Sequence, residues 1–361
     1  MSRRVKLAVN PPLLPMLAKR VAALPDGDGW IFEPKWDGFR VLVFRDGDEL
    51  LLQSRDEKPL DRYFPELAEP LRAVLPQRAV LDGEIVIATP DGLDFETLQM
   101  RLHPAASRVK LLAGQTPSSV VFWDVLCEGD RDLRAAPFRE RRQVLEQLLS
   151  GAKPPIHITP ATSDRAVAAD WFERFEGAGL DGVMAKPEGG AYEPNKRVML
   201  KVKHERECDC VVGGFRWHKN GRDVAVGSLL LGLRDDEGVL HHVGVCASFK
   251  DTVRRELVTF LAPYRERALD EHPWKEWAAH QGAQRIPGAR SRWSQDKDLS
   301  WEPLRAELVV QVAYDHMQGS RFRHTAQFRR WRPDKQPRDC TYAQLEVVAP
   351  HELEAIFAVG R

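Results

Sequence analysis

Residues 35–40 read Lys35-Trp36-Asp37-Gly38-Phe39-Arg40, the pattern KxDGxR. Four specified residues at about 5% frequency each match by chance at on the order of one in 10⁵ starting positions. Pro34 and Gly38 mark a turn here, and the apolar run 39–45 (FRVLVFR) that follows predicts a strand. With 49–53 (ELLLQ) beyond Asp46-Gly47-Asp48, that strand predicts a hairpin. A lysine ordinarily sits solvated on the surface. One held at such a turn can instead border a pocket and serve as a nucleophile. Its amine must then be deprotonated, from an ordinary pKa of about 10.4. Nearby cations and partial burial favour that. Lys201-Val202-Lys203 supplies cations further along, and their i, i+2 spacing puts both on one face of a strand.

Outward from this hairpin the first half mixes strands and helices. Residues 78–88, 118–126, 180–186 and 197–203 predict strands; 64–75, 137–149 and 164–177 predict helices, the last opened by Ser163-Asp164. After about residue 205 strand patterns dominate, at 207–216, 226–234, 239–247 and 306–314, interrupted by a helix pattern at 250–267. That inventory suits a small OB-fold barrel. Two domains are expected, 1–205 and 206–361, in keeping with ~100–200 residues per domain. Residues 270–300, rich in Trp, Pro and polar types, read as a loop or insertion, and Gly213-Gly214 as a bulge.

Composition excludes several classes. With 43% hydrophobic and 29% charged residues, the 361-residue chain is neither disordered nor collagenous nor a disulfide scaffold. Its five cysteines form no CxxC pair, so no zinc ribbon is indicated; Cys208 and Cys210 read as same-face strand neighbours. Reduced thiols fit a cytoplasmic protein. Pro11, Pro12 and Pro15 break the apolar stretch after Arg3, Arg4 and Lys6, so no signal-peptide core forms, and no apolar run approaches the ~18 residues of a membrane span. None of the 11 histidines falls in a metal-spaced set, and His241-His242 reads as one ring in and one out. Net charge is zero, which alone argues against a nucleic-acid binder. Yet residues 321–338 carry +6 and the rest −6, while 196–206 form a second basic run. Focused basic patches remain compatible with a polyanion.

At KxDGxR the chain resembles the covalent nucleotidyltransferase superfamily of ATP-dependent DNA ligases, RNA ligases and mRNA capping enzymes. Six further motifs follow in the family's order: Ser54-Arg55; Asp82-Gly83-Glu84; Phe122-Trp123-Asp124; Asp181-Gly182-Val183-Met184-Ala185-Lys186, with Asp where the family has Glu; Lys201-Val202-Lys203; and Arg332-Pro333-Asp334-Lys335, the RxDK motif. The context LDGVMAK and FRHTAQFRRWRPDK resembles the actinobacterial ligase C type. The resemblance implies an α+β fold: a nucleotidyltransferase (adenylation) domain of antiparallel sheets flanked by helices, followed by an OB-fold β-barrel domain.

It also implies an ATP-dependent DNA ligase that seals 5′-phosphate/3′-hydroxyl nicks in duplex DNA through a lysyl-AMP and a DNA-adenylate. Lys35 would be the adenylated nucleophile and Lys201 and Lys203 would meet the α-phosphate. Glu84 and Asp181 would hold Mg²⁺ (or Mn²⁺) or contact ribose, Asp181 reaching through a water or after a slight strand shift because it is one methylene shorter than Glu. Trp123 and Met184 would flank adenine, and the Glu33 main chain would read its edge. Arg40 and Arg55 would grip ribose or the nick 5′-phosphate. Arg332, Asp334 and Lys335 would act in the first step only, on the leaving pyrophosphate. A monomeric cytoplasmic enzyme of DNA repair is expected, in base excision or as a backup, with ATP and nicked DNA as substrates and no membrane partner. The alternatives are an RNA ligase or capping-type enzyme, and a catalytically inactive OB-containing nucleic-acid binder.

Overall fold

The hairpin after KxDGxR forms as its sequence requires. β3 (Phe39–Asp46) and β4 (Glu49–Ser54) pair with Asp46 opposite Glu49, and Gly47 takes the left-handed φ of 61° that the two-residue loop needs. The computed structural model describes residues 5–345 except 91, 220 and 276–299, together with residue 356. These divide into two units, residues 5–204 with residue 356, and residues 205–345.

The first unit holds two sheets. β1 (Leu17–Val21), β2 (Trp30–Pro34), β8 (Val183–Pro187) and β9 (Arg197–Val202) form one, in the order β1-β9-β8-β2. The other runs β7-β6-β5-β3-β4, with β5 (Arg78–Val86), β6 (Ser119–Glu128) and β7 (Ile156–Ile158). Alternation along each strand sends successive side chains to opposite faces. Phe32, Val183, Ala185 and Val202 pack with Ala168 and Trp171 of α5 (Arg165–Arg174). Val41, Val43, Leu81 and Phe122 pack with Leu71 of α1 (Ala68–Val74) and Leu145 of α4 (Phe138–Leu148). The opposite faces meet through Leu42, Phe44, Val80 and Met199. α5 starts where Asp164 accepts the Ala166 N–H at 2.7 Å. The helix expected from residue 64 begins as two short 3₁₀ turns, at Asp61–Tyr63 and Pro65–Leu67. Pro65 disfavours the helical region for Phe64, which sits at φ −132°, ψ 55°. The strand expected from residue 180 starts at Val183, because Gly182 bends the chain at φ 118°.

The second unit is built on a six-stranded sheet whose main path runs β12-β11-β10-β13-β14, the short strand Glu302–Pro303 pairing β10 beside it: β10 (Arg206–Trp217), β11 (Val226–Arg234), β12 (Leu240–Cys246), β13 (Val309–Tyr314) and β14 (Gln327–Trp331). Cys246 bridges Ala326, just before β14, so the two edges close into a barrel. Leu257 and Leu261 of α6 (Asp251–Arg265) enter its core.

The bulge at Gly213 is present, as a register shift between Val212 and Gly214. Tertiary contact explains both glycines: a side chain at 213 would collide with the Trp274 ring and one at 214 with Trp301. Trp274, inside the stretch read as a loop, is therefore a buried core residue, its indole donating to the Leu240 carbonyl at 2.8 Å. Residues 276–299 of that stretch lie outside the described residues. Among the described residues no helix is long and apolar enough to cross a membrane.

Candidate active site

The KxDGxR lysine sits where β2 ends against the turn before β8. The Lys35 N–H donates to the Gly182 carbonyl at 2.8 Å, and the Asp181 N–H donates to the Lys35 carbonyl at 2.9 Å. Two residues thus oppose one, as in a β-bulge. Only glycine serves at 182, since a side chain there would meet the Val202 carbonyl. This backbone brackets the side-chain chemistry. Lys35 Nζ lies 2.7 Å from Asp181 Oδ2, and Lys203 Nζ lies 2.5 Å from the same oxygen. Burial pushes the Asp181 carboxyl up, but the two ammoniums outweigh it and hold it below the usual carboxylate range.

The next cross-strand row is Glu33 opposite Met184 opposite Lys201. Half-buried beside Lys35 and Lys203, Lys201 has its pKa lowered by burial and by those two like charges. Two ammoniums therefore share the Asp181 carboxylate, with the third, Lys201, close enough to feel both. Lys35 precedes Lys201 by 166 residues and Lys203 by 168, and meets them only because β2, β8 and β9 are neighbours.

The facing sheet contributes Glu84, Arg40 and Trp123. Burial pushes the Glu84 carboxyl up to about 7 against the opposing pull of Lys35 and Arg40. Its Oε1 accepts the Gly38 N–H at 3.1 Å, so the motif's turn is tied to the carboxylate. Gly38 is required for that approach, because a side chain would strike the Ile85 carbonyl. Arg40 forks onto buried Asp82 at 2.9 and 2.6 Å, and the Tyr192 hydroxyl donates to the same Asp82 at 2.8 Å. Trp123 has two cations near its ring, Arg40 5.1 Å and Lys186 5.5 Å from its centre.

The other expected residues are placed on several elements. Trp123 borders the Phe32–Trp36–Val121 cluster, whereas Met184 borders the Leu42–Phe44–Tyr192 cluster. Arg55 is exposed at the tip of a turn closed by the Lys58 N–H on Ser54 Oγ. Glu33 carries a buried carboxylate on Lys186, 2.5 Å away, and Arg142, 3.3 Å away. Lys186 closes the LDGVMAK motif, yet the sequence assigns it no task, and Asp124, which closes the Phe122-Trp123-Asp124 motif, is buried on Arg141. Arg141, Arg142 and Tyr192 stand alone in sequence and carry no spacing signal.

RxDK belongs to the second unit. Arg332 donates to both oxygens of Asp209 at 2.9 Å and to Asp334 at 2.8–3.2 Å. The Arg332 guanidinium pulls the Asp334 carboxyl down to about 2.

Known proteins match this arrangement. A family model described as ATP dependent DNA ligase domain matches residues 15–203, and one described as ATP dependent DNA ligase C terminal region matches 222–335. DNA ligase C of Mycobacterium tuberculosis is 56% identical over 95% of this chain and 96% of its own. DNA ligase C2 of Mycolicibacterium smegmatis is 55% identical over 94% and 96%. A solved structure from a study of Lig E DNA ligases, 18% identical, covers 89% of this chain and all of its own at TM-score 0.54, and so shares the fold. Both halves of the chain match ligase models, and relatives match along nearly their whole length; the chain belongs to the ATP-dependent DNA ligase family, in its ligase C branch, as an adenylation domain followed by an OB-fold domain.

Proposed function

We propose that Lys35 is the nucleophile of a three-step ligation that seals 5′-phosphate/3′-hydroxyl nicks in duplex DNA. The Lys35 amine, having lost its proton, attacks the α-phosphorus of ATP; the bond to the bridging oxygen breaks and pyrophosphate leaves. AMP then passes from the lysine nitrogen to the nick 5′-phosphate. The 3′-hydroxyl attacks that phosphate, and AMP departs. Each step gathers charge on phosphate oxygens, so fixed cations supply much of the stabilisation. The observation that carries this reading is the pair Lys35 and Lys203 on the Asp181 carboxylate, with Lys201 beside them. A triphosphate answers that cluster of cations, and its arrival gives Lys203 a partner other than Asp181 and Lys201 an opposite charge.

Around this centre Trp123 and Met184 are assigned to the adenine, the Glu33 main chain to its edge, and Arg40 and Arg55 to ribose or the 5′-phosphate. Arg332, Asp334 and Lys335 act in the first step, on the pyrophosphate. A divalent cation suits Glu84, a part-buried oxygen donor whose carboxylate has no ion pair among the described residues and gains from added positive charge. When bound, Mg²⁺ or Mn²⁺ would neutralise phosphate oxygens. Asp181 fits that task less well, since its Oδ2 already serves two ammoniums. The five cysteines are free and buried, in keeping with a reducing cytoplasm, where a monomeric repair enzyme, in base excision or as a backup, completes the proposal.

The test is transfer of label from α-³²P-ATP, with GTP as control, to wild-type protein and to Lys35→Ala. Wild type should gain a covalent label from ATP and pass it to a nicked duplex; Lys35→Ala should gain none. Labelling of the variant at the wild-type rate would sink the assignment.

A further inference from the structure

The Arg332 guanidinium is held by two carboxylates that differ in how easily each can let go. Nε and NH2 face Asp334, whose side chain is 60% exposed, while NH1 faces both oxygens of Asp209, which is 9% exposed. Lys335 Nζ stands 3.9 Å from the same Asp209 Oδ2. Asp209 itself is rigidly placed. It lies within β10 opposite Gln311 of β13. Gln344 clamps its main chain from the side, accepting the Asp209 N–H at 2.8 Å and donating to the Asp209 carbonyl at 2.9 Å. A buried carboxylate stripped of its cations is costly, so Asp209 keeps its partners. Exposed Asp334 can be exchanged for another anion.

We propose that Asp209 is a positioning residue for the first step: it anchors Arg332 and Lys335 while phosphate oxygens of the leaving pyrophosphate replace Asp334 on the guanidinium. The proposal rests on the reading of RxDK given above. It makes Asp209 dispensable for the later steps, which need no pyrophosphate contact.

Asp209→Asn, Arg332→Ala and the double variant separate these ideas. Lysyl-AMP formation at saturating ATP and sealing of a pre-adenylated nick are measured for each in the full chain. Asp209→Asn should slow lysyl-AMP formation by roughly 10–100-fold, the usual cost of a misplaced group. Sealing of the pre-adenylated nick should stay within about twofold of wild type, an interval set by the near-neutrality of unrelated sites. Added to Arg332→Ala, the change should cost nothing further in the first step. If the asparagine variant does not fold, Asp209→Glu, which keeps the charge but moves it by a methylene, should show a smaller loss confined to the same step. Equal losses in both steps, additive losses in the double variant, or an unimpaired first step overturn the proposal. If Arg332→Ala itself forms lysyl-AMP normally, the reading of RxDK fails and the proposal with it; if only the Asp209 variants do, the proposal alone fails.

Discussion

Individual side chains here take their properties from partners far away in sequence. Glu33 and Lys186 meet as a buried pair, and Lys186 in turn sits under Trp123 and Phe138. His242 shows what such surroundings do to a titratable group. Burial, then Arg321 and Arg216, push its pKa down to about 3. In the unfolded chain the ring titrates near 6.5. Between those values the unfolded state binds more protons, so stability falls as pH drops from 6.5 toward 3. By about pH 4.5 the loss from this ring is roughly 2–3 kcal/mol. His242→Gln keeps an acceptor for Arg321, which donates to the ring at 2.8 Å, and removes the titration. The gap between urea midpoints at neutral and acid pH should therefore narrow in the variant; an unchanged gap would refute this source of acid sensitivity. His241-His242 was legible as one ring out and one in, because alternation along a strand is local. The arginines beside the buried ring were not, since they come from other strands.

At the scale of elements, glycines decide where strands may end. Gly182 combines a φ of 118° with a Cβ direction that points at the Val202 carbonyl and brings Lys203 Cα to 3.0 Å. Gly182→Ala should cost roughly 2–3 kcal/mol, read from the urea midpoint. It should also depress lysyl-AMP formation, because the same turn sets Asp181 against Lys35. Gly114 is the contrast: in α3 (Ala106–Gln115) a side chain would meet nothing within 4 Å. Gly114→Ala should stabilise by up to about 1 kcal/mol through helix propensity, with labelling unchanged. A rise in stability at 182 or a fall at 114 would contradict these assignments. Many elements were readable from periodicity, but β1, β2, β7, β14 and α3 were not expected from it. Two other departures are instructive: the first turns of the helix expected at 64–75 gave way to Pro65, and Trp274 left an apparent loop to fill the space over Gly213.

For the whole molecule, zero net charge conceals an uneven distribution, and the fold redistributes it again. Within the basic run, Arg329 pairs with Glu205 and Glu207, and Arg332 with Asp209 and Asp334. Arg321 and Arg330 donate instead to neutral His242 and Gln311. The +6 read from the segment thus overstates the charge offered to a polyanion. Affinity for a nicked duplex should still fall with salt, since every phosphate contact releases counterions. For four to six contacts the loss between about 50 and 200 mM salt is roughly 10²–10³-fold. Titration of labelled nicked duplex across that range checks it, and a flat response would remove phosphate contacts as the basis of binding.

Local order in the chain was enough to indicate many of the strands and helices and the ligase family, because turns, alternation and motif order are written in adjacent residues. Tertiary structure alone decided which charges meet. Lys35, Asp181 and Lys203 converge because three strands are neighbours in one sheet, and Asp209 finds Arg332 two strands away in another. Coulomb energy depends on distance in space, and the spacing of residues along a sequence does not specify that distance until the strands are paired.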